Sequence, residues 1–434
     1  MKRILIVIIF IAVGMGIAGF SGAFKFKAHR PEVVPKATST TPGVPSPPGQ
    51  KPTSSTPSPS ANGFLRVEGS KIVDGSGNLV QLRGFNTYVA LAGYKYFNKF
   101  YTQDQLKTFN QGVLEHWQSE YDNQNMKDMG ANVIRTFLPE FHKIQYAPYQ
   151  YDEKFLDVLE EFVSNAGRHG IRTILVMNQT GESEVYYIQE PGVLWTDPDR
   201  KNQVYALWEH IAARFANNPN VAGYDLMNEP KPPSDAALHD FYQNSINAIR
   251  KHDTRHIIFM DTKHFPVELN WGGTYTDTNL VLQTHYYYFG QDPSGAQIQN
   301  HFNILLHHPD RQGKPLYIGE FGMPSDESNL YGQKELAWIK KTIDVMNANG
   351  VHWTYFAYKD SIYNSHPTVA WPVYNALYLP SERLFISPTK EVVAGYLQNG
   401  FPMPTAAQLE SLHTEHFRTN ATLRSILSQG FKAP

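Results

Sequence analysis

Two glutamates occupy equivalent points in the chain. Glu229 follows Tyr224-Asp225-Leu226-Met227-Asn228 and precedes Pro230, and Glu320 lies within Tyr317-Ile318-Gly319-Glu320-Phe321-Gly322. Each carboxylate stands where a short apolar run gives way to a loop. Such a pair can cleave an acetal: one carboxylic acid protonates the departing oxygen while a second carboxylate meets the carbon that becomes electron-poor, and a gap of ~5–5.5 Å gives retention of configuration. His285 and Tyr287, in Thr284-His285-Tyr286-Tyr287-Tyr288, are two apart in another apolar run, so their side chains share one face of a strand.

Residues so far apart in sequence need a scaffold that brings strand ends together. Runs of β-branched and apolar residues recur at 82–88, 132–137, 172–178, 222–227, 256–261, 280–287, 315–320 and 351–358. Helical patterns alternate with them. Phe155, Val158, Leu159 and Phe162 repeat at i, i+3, i+4, i+7, and Val204, Leu207, Trp208, Ile211 and Phe215 follow Asp197-Pro198, an N-cap with proline at the first helical position. Segments 235–250, 296–306 and 333–349 supply further helices, while no helix is evident between the fifth and sixth runs. Alternating strands and helices predict a parallel sheet, and eight strands predict an α/β fold of the (β/α)8 barrel type with its chemistry at the carboxyl ends of the strands. Short β-prone runs at 64–67, 71–74 and 78–82, broken by Gly69 and Asp74-Gly75-Ser76-Gly77, predict an N-terminal hairpin. Residues 403–434 predict a short helical extension with segments at 406–416 and 422–427, packed on the barrel.

Composition narrows the function. The 434 residues carry 38 Lys and Arg against 40 Asp and Glu, a net charge of −2, which offers no field to hold a nucleic acid. Zero cysteines exclude thiol catalysis, thiolate metal centres and disulfides. No Gly-x-Ser-x-Gly elbow and no glycine-rich phosphate loop after a strand is present, and His307-His308 lacks a further ligand at metal spacing, so it reads as a surface pair. Neither a metal nor an organic cofactor is expected. Aromatic residues reach 13%, more than a core demands. Tyr88, Tyr186, Tyr187, Trp195, Trp271 and Trp371 are candidates for stacking on sugar rings, whereas Trp117, Trp208 and Trp338 sit in helical patterns and read as core.

The chain opens with Lys2 and Arg3 and an uncharged run from Ile4 to Phe24, long enough to cross a bilayer. Residues 1–24 therefore read as a signal peptide or an uncleaved N-terminal membrane anchor. Residues 25–63, rich in Pro, Ser and Thr, read as a disordered spacer. The expected location is outside the cell, either secreted or anchored with the catalytic domain, residues 64–402, facing outward or into a periplasm.

Over roughly residues 64–400 the sequence resembles glycoside hydrolase family 5, the cellulase-type clan of retaining β-glycanases. Asn228-Glu229-Pro230 matches the clan's acid/base motif and Gly319-Glu320-Phe321-Gly322 its nucleophile motif. The resemblance implies Glu229 as acid/base, Glu320 as nucleophile and Asn228 on the sugar 2-hydroxyl. It also implies Arg135 beside the nucleophile, His285 near the acid/base, and Tyr287 donating toward the nucleophile. Two departures stand out. The third run ends Leu175-Val176-Met177-Asn178 where many cellulases of the family show Leu-His, and the eighth reads Trp353-Thr354-Tyr355-Phe356 where the family commonly shows Trp-x-x-Trp. Trp353 or Phe356 would then floor the subsite at the cleaved sugar. The resemblance implies a retaining endo-β-1,4-glycanase, a monomeric hydrolase degrading polysaccharide, with β-glucan first and β-mannan second as substrate. A glycolipid-glycan hydrolase of the same family and a non-catalytic carbohydrate-binding barrel are the alternatives.

Overall fold

The computed structural model describes residues 63–88, 101–138, 144–178, 193–263, 269–288, 295–322, 324–325, 332–360, 369–370, 374–376 and 402–434. Residues 1–62, which include the expected signal or anchor and most of the expected spacer, and the stacking candidates Tyr186, Tyr187 and Trp371 lie outside them, as does the side chain of Tyr88. Among the described residues no helix is long and apolar enough to cross a membrane.

Eight parallel strands close a barrel in chain order: Arg83–Tyr88, Val133–Phe137, Arg172–Val176, Val221–Asp225, Ile257–Asp261, Leu280–Tyr287, Leu316–Gly322 and His352–Tyr355. The eighth pairs with the first, Trp353 opposite Arg83. Each expected run carries one strand. Helices Gln103–Trp117, Glu153–Arg168, Pro198–Phe215, Asp235–Arg250, Ala296–Leu306 and Gly332–Ala348 lie around them. The Pro198–Phe215 helix starts as its sequence requires, with the Asp197 carboxylate accepting from the Asp199 N–H.

Alternation along each strand separates two apolar layers. Ile134, Leu175, Tyr224, Ile258, Ile318, Trp353 and Tyr355 pack outward against the helices, whereas Val133, Phe137, Ile174, Val176, Phe259, Val281 and Tyr317 fill the interior. The antiparallel hairpin of Arg66–Glu68 and Lys71–Val73 contributes Leu65 and Ile72 to that inner layer and so plugs the barrel floor. Its connection onward is an Asx turn, with Asp74 Oδ1 accepting from the Ser76 and Asn78 N–H groups at 2.9 Å each.

The same alternation corrects the expectation for Trp353. Its ring faces the helices, stacked on Phe431 at 4.8 Å and edge-on to Phe321 at 5.5 Å, with Nε1 donating to Asn347 Oδ1 at 2.9 Å. It is fully buried and meets no substrate. Phe356, of opposite parity, belongs to the inner layer and packs edge-on to Phe137 at 6.2 Å. Trp353→Ala opens a core cavity and is expected to cost about 3–5 kcal/mol of stability. Chemical denaturation should show that loss while KM for a soluble oligosaccharide stays unchanged; a raised KM at intact stability would return Trp353 to the binding site.

The C-terminal extension differs in detail from two helices. A helix at Ala406–Glu410 and a 3-10 turn at Thr414–His416 lead into a strand, Phe417–Thr419, which pairs antiparallel with Tyr374–Ala376, and the chain ends in the helix Ala421–Lys432. Phe431 from that helix covers Trp353 and Phe85, and the Arg83 guanidinium donates to the carbonyls of Phe431, at 3.0 Å, and Ala433. A buried cation whose Nη1 donates to helix-end carbonyls ties the tail to the barrel.

Candidate active site

The carboxyl end of the barrel is lined by polar side chains from several strands. Arg135, on the second strand, is fully buried and uses all three nitrogens. Nε donates to Asp225 Oδ2 at 2.9 Å, Nη1 to Glu320 Oε1 at 2.9 Å and Asn86 Oδ1 at 3.0 Å, and Nη2 to Asn228 Oδ1 at 2.8 Å. One guanidinium therefore orients three acceptors around Glu320. Tyr287 donates its hydroxyl to Glu320 Oε2 at 2.6 Å, so each Glu320 carboxylate oxygen accepts a bond from a different strand.

Glu320 reaches the interior only because its strand carries an irregularity. Tyr317 pairs with Gln283 and Ile318 with Thr284, but His285 pairs with Glu320, so Gly319 is an extra residue on the seventh strand. Strict alternation would place Glu320 on the side of Ile318, against the helices; the bulge turns it inward. A Cβ on residue 319 would lie 2.5 Å from the buried Gln283 carboxamide, so a larger residue there would have to displace that side chain.

Glu229 is positioned by its backbone. Its φ of 42° is in the left-handed region, and its N–H donates to Asp261 Oδ2 at 2.9 Å. His285 stands between the two carboxylates: Nδ1 is 2.9 Å from Glu229 Oε1 and 3.7 Å from Glu320 Oε2, and Nε2 is 3.2 Å from Asp261 Oδ2. Burial alone would lower the imidazole, but the carboxylates of Asp261, Glu320 and Glu229 outweigh it and push its pKa up to about 9. Burial alone would likewise raise Glu320, yet the charges of His285 and Arg135 and the bonds from Tyr287 and Arg135 hold it below the ordinary glutamate value. The side chain of Glu320 is 7% exposed and that of Glu229 19%, so Glu229 is the carboxyl group nearer water.

One ligand-type atom each from Glu229, His285 and Glu320 lie within 4.8 Å of one another. A cation there is disfavoured, because protonated His285 and Arg135 already neutralise the carboxylates. The structure brings together Arg135, Asn228, Glu229, His285, Tyr287 and Glu320, and leaves Trp353 outside. Trp271 also leaves the stacking set: it is buried, with Nε1 donating to the Gln283 carbonyl at 2.7 Å. Trp195 packs edge-on to Phe241 at 5.4 Å. Sequence reasoning missed Asn86, Asp225 and Asp261. The signal that singled out the two glutamates was present for Asp261, an acidic residue closing the apolar strand Ile257–Asp261.

The sequence model of the family described as Cellulase (glycosyl hydrolase family 5) matches residues 73–361. Over 341 residues the chain is 24% identical to a β-xylosidase of Phanerodontia chrysosporium, covering 68% of this chain and 71% of that one. Over 329 residues it is 25% identical to endoglucanase E-5 of Thermobifida fusca, covering 73% of this chain and 60% of that one. Its fold matches endo-glycoceramidase II from Rhodococcus sp. with a TM-score of 0.54 at 21% identity, over 76% of this chain and 79% of that one. Fold and family match together define a glycoside hydrolase built on a (β/α)8 barrel. With about two thirds of its length inside the match, the chain belongs to glycosyl hydrolase family 5.

Proposed function

We propose that this enzyme is a retaining endo-β-1,4-glycanase acting on β-glucan, with Glu320 as nucleophile and Glu229 as acid/base. The observation that carries the reading is the approach of the two carboxylates, whose nearest oxygens lie within 4.8 Å. That suits the ~5–5.5 Å of retaining enzymes and leaves no room for the water that needs ~6.5–9.5 Å in inverting ones. Glu320 attacks the anomeric carbon as Glu229 gives its proton to the leaving glycosidic oxygen, breaking the C–O bond and leaving a glycosyl ester on Glu320. Glu229, now a carboxylate, takes a proton from water, whose oxygen displaces Glu320 and releases the sugar. Asn228, held through its carbonyl oxygen by Arg135, is left to present its amide NH₂ to the sugar 2-hydroxyl. The similarity to an endoglucanase over most of the chain supports glucan as the substrate. The basic start and apolar run of residues 1–24, with the Pro-rich spacer behind them, support export of the enzyme.

A panel of carboxymethyl-cellulose, β-mannan, xylan and ganglioside, read by product chromatography, tests this reading. Cello-oligosaccharides of mixed length are expected, with the first-formed reducing end in the β configuration by NMR. An α product would overturn retention; release from mannan or ganglioside alone would overturn the substrate.

A further inference from the structure

A second group of ligand-type side chains lies on the outside of the barrel. His116 is in the last turn of the Gln103–Trp117 helix, Glu410 closes the Ala406–Glu410 helix, and His413 lies in the turn after it. One ligand atom from each lies within 4.8 Å of the other two. His116 Nε2 is 3.9 Å and His413 Nε2 3.6 Å from Glu410 Oε2, and the imidazole rings are 4.8 Å apart. These separations are too long for hydrogen bonds. The two nitrogen–oxygen separations are near the edges of the triangle that three donors form around a cation at ~2.0–2.2 Å.

The orientation of His116 suits a ligand. Its Nδ1 is 2.7 Å from the Gly112 carbonyl, which only accepts, so Nδ1 carries a ring hydrogen and Nε2 is the nitrogen turned toward the Glu410 carboxylate. An imidazole fixed this way by a backbone carbonyl is the usual outer support of a metal-binding histidine. Two imidazole Nε2 atoms thus face the same carboxylate oxygen from two different elements. The cluster at Glu229, His285 and Glu320 differs, because the Arg135 guanidinium already lies against Glu320 at 2.9 Å.

We propose that His116, Glu410 and His413 bind a zinc-class divalent cation that staples the C-terminal tail to the barrel, with water completing a tetrahedral set. Histidine nitrogen with one carboxylate suits zinc rather than the oxygen-seeking magnesium or calcium. The staple lies beside another tail contact, the Lys359 ammonium, which donates to the Trp117 carbonyl at 3.0 Å and to that of Leu412. It acts on tail attachment and not on bond cleavage, so it stands independently of the proposed substrate.

The test is calorimetric titration of chelator-treated enzyme with zinc chloride, with thermal unfolding at each loading. Expected are one bound zinc per chain and an unfolding midpoint raised by about 3 °C or more, with no rise in magnesium. His116→Ala and His413→Ala should each weaken zinc binding by about tenfold or more, and Glu410→Gln gives the same reading should an alanine variant fail to fold. Zinc uptake and the midpoint shift should persist in Glu320→Gln. No uptake, uptake unchanged in the histidine variants, or uptake lost in Glu320→Gln would each overturn the site.

Discussion

Glu320→Ala should lower turnover of the proposed β-glucan substrate by about 10⁴-fold or more while leaving glycan binding in place, the scale of loss when an enzyme's covalent nucleophile is removed. The protein should still fold, because Arg135 keeps Asp225 as its counter-ion at 2.9 Å when Glu320 is gone. The deleted carboxylate leaves a small space beside the Arg135 guanidinium and the Tyr287 hydroxyl, both of which hydrogen-bonded it. Azide can enter there and attack an activated aryl glucoside from the face that Glu320 used. One displacement in place of two then gives an α-glucosyl azide. Kinetics with and without azide, together with the configuration of the adduct, separate this from simple damage to the site. Unaltered release of reducing sugar by Glu320→Ala would refute the assignment. Glu229→Ala should behave differently, retaining glycosylation by substrates whose leaving groups need no proton.

The barrel was legible because its cause is local and repeated: strand runs alternate with helical patterns, and each element's apolar positions are sufficient to place it. The two glutamates were legible for the same reason, as acidic residues at the ends of apolar strands. What pairing between strands decides was not. Alternation carried straight through Tyr317, Ile318, Gly319 and Glu320 sends the Glu320 carboxylate outward, and only the slip against Thr284 and His285 restores it. Gly319 is the trace of that slip in the sequence, but a glycine in a strand has several readings. Trp353 and Phe356 were separable by parity into two faces, yet which face was the interior depended on the partner strands and on Phe431, nearly eighty residues later. Asp261 closes an apolar strand as the glutamates do, so its place was legible and its role was not. Its work is done on a neighbour's backbone and on the charge of His285, contacts that no spacing within its own strand announces.

Arg135→Leu should show how far the site rests on one buried cation. The change leaves Asp225 and Glu320 buried without their shared counter-ion, and breaking a buried pair from one side costs about 3–5 kcal/mol. The same deletion should move the acid side of the activity profile. In the native enzyme Glu320 titrates below its unfolded value, so its ionised form contributes stability above the unfolded carboxyl pKa, and that contribution disappears as pH falls through the lower folded value. Without Arg135, burial acts against the remaining charge of His285 and the Tyr287 hydrogen bond. The folded pKa then rises, and the fraction of enzyme with an ionised nucleophile falls at mildly acidic pH. The acid limb of kcat/KM should therefore move to higher pH, and the stability lost should be greatest where both carboxylates would be ionised. Arg135→Lys restores the charge but not the fork that reaches Asp225, Asn86, Glu320 and Asn228 together, so it should recover part of the stability and little of the turnover. Denaturation midpoints and pH–rate profiles of the two variants, measured side by side, read charge and geometry separately. An acid limb that stays in place in Arg135→Leu would show that His285 and Tyr287 suffice to keep Glu320 ionised.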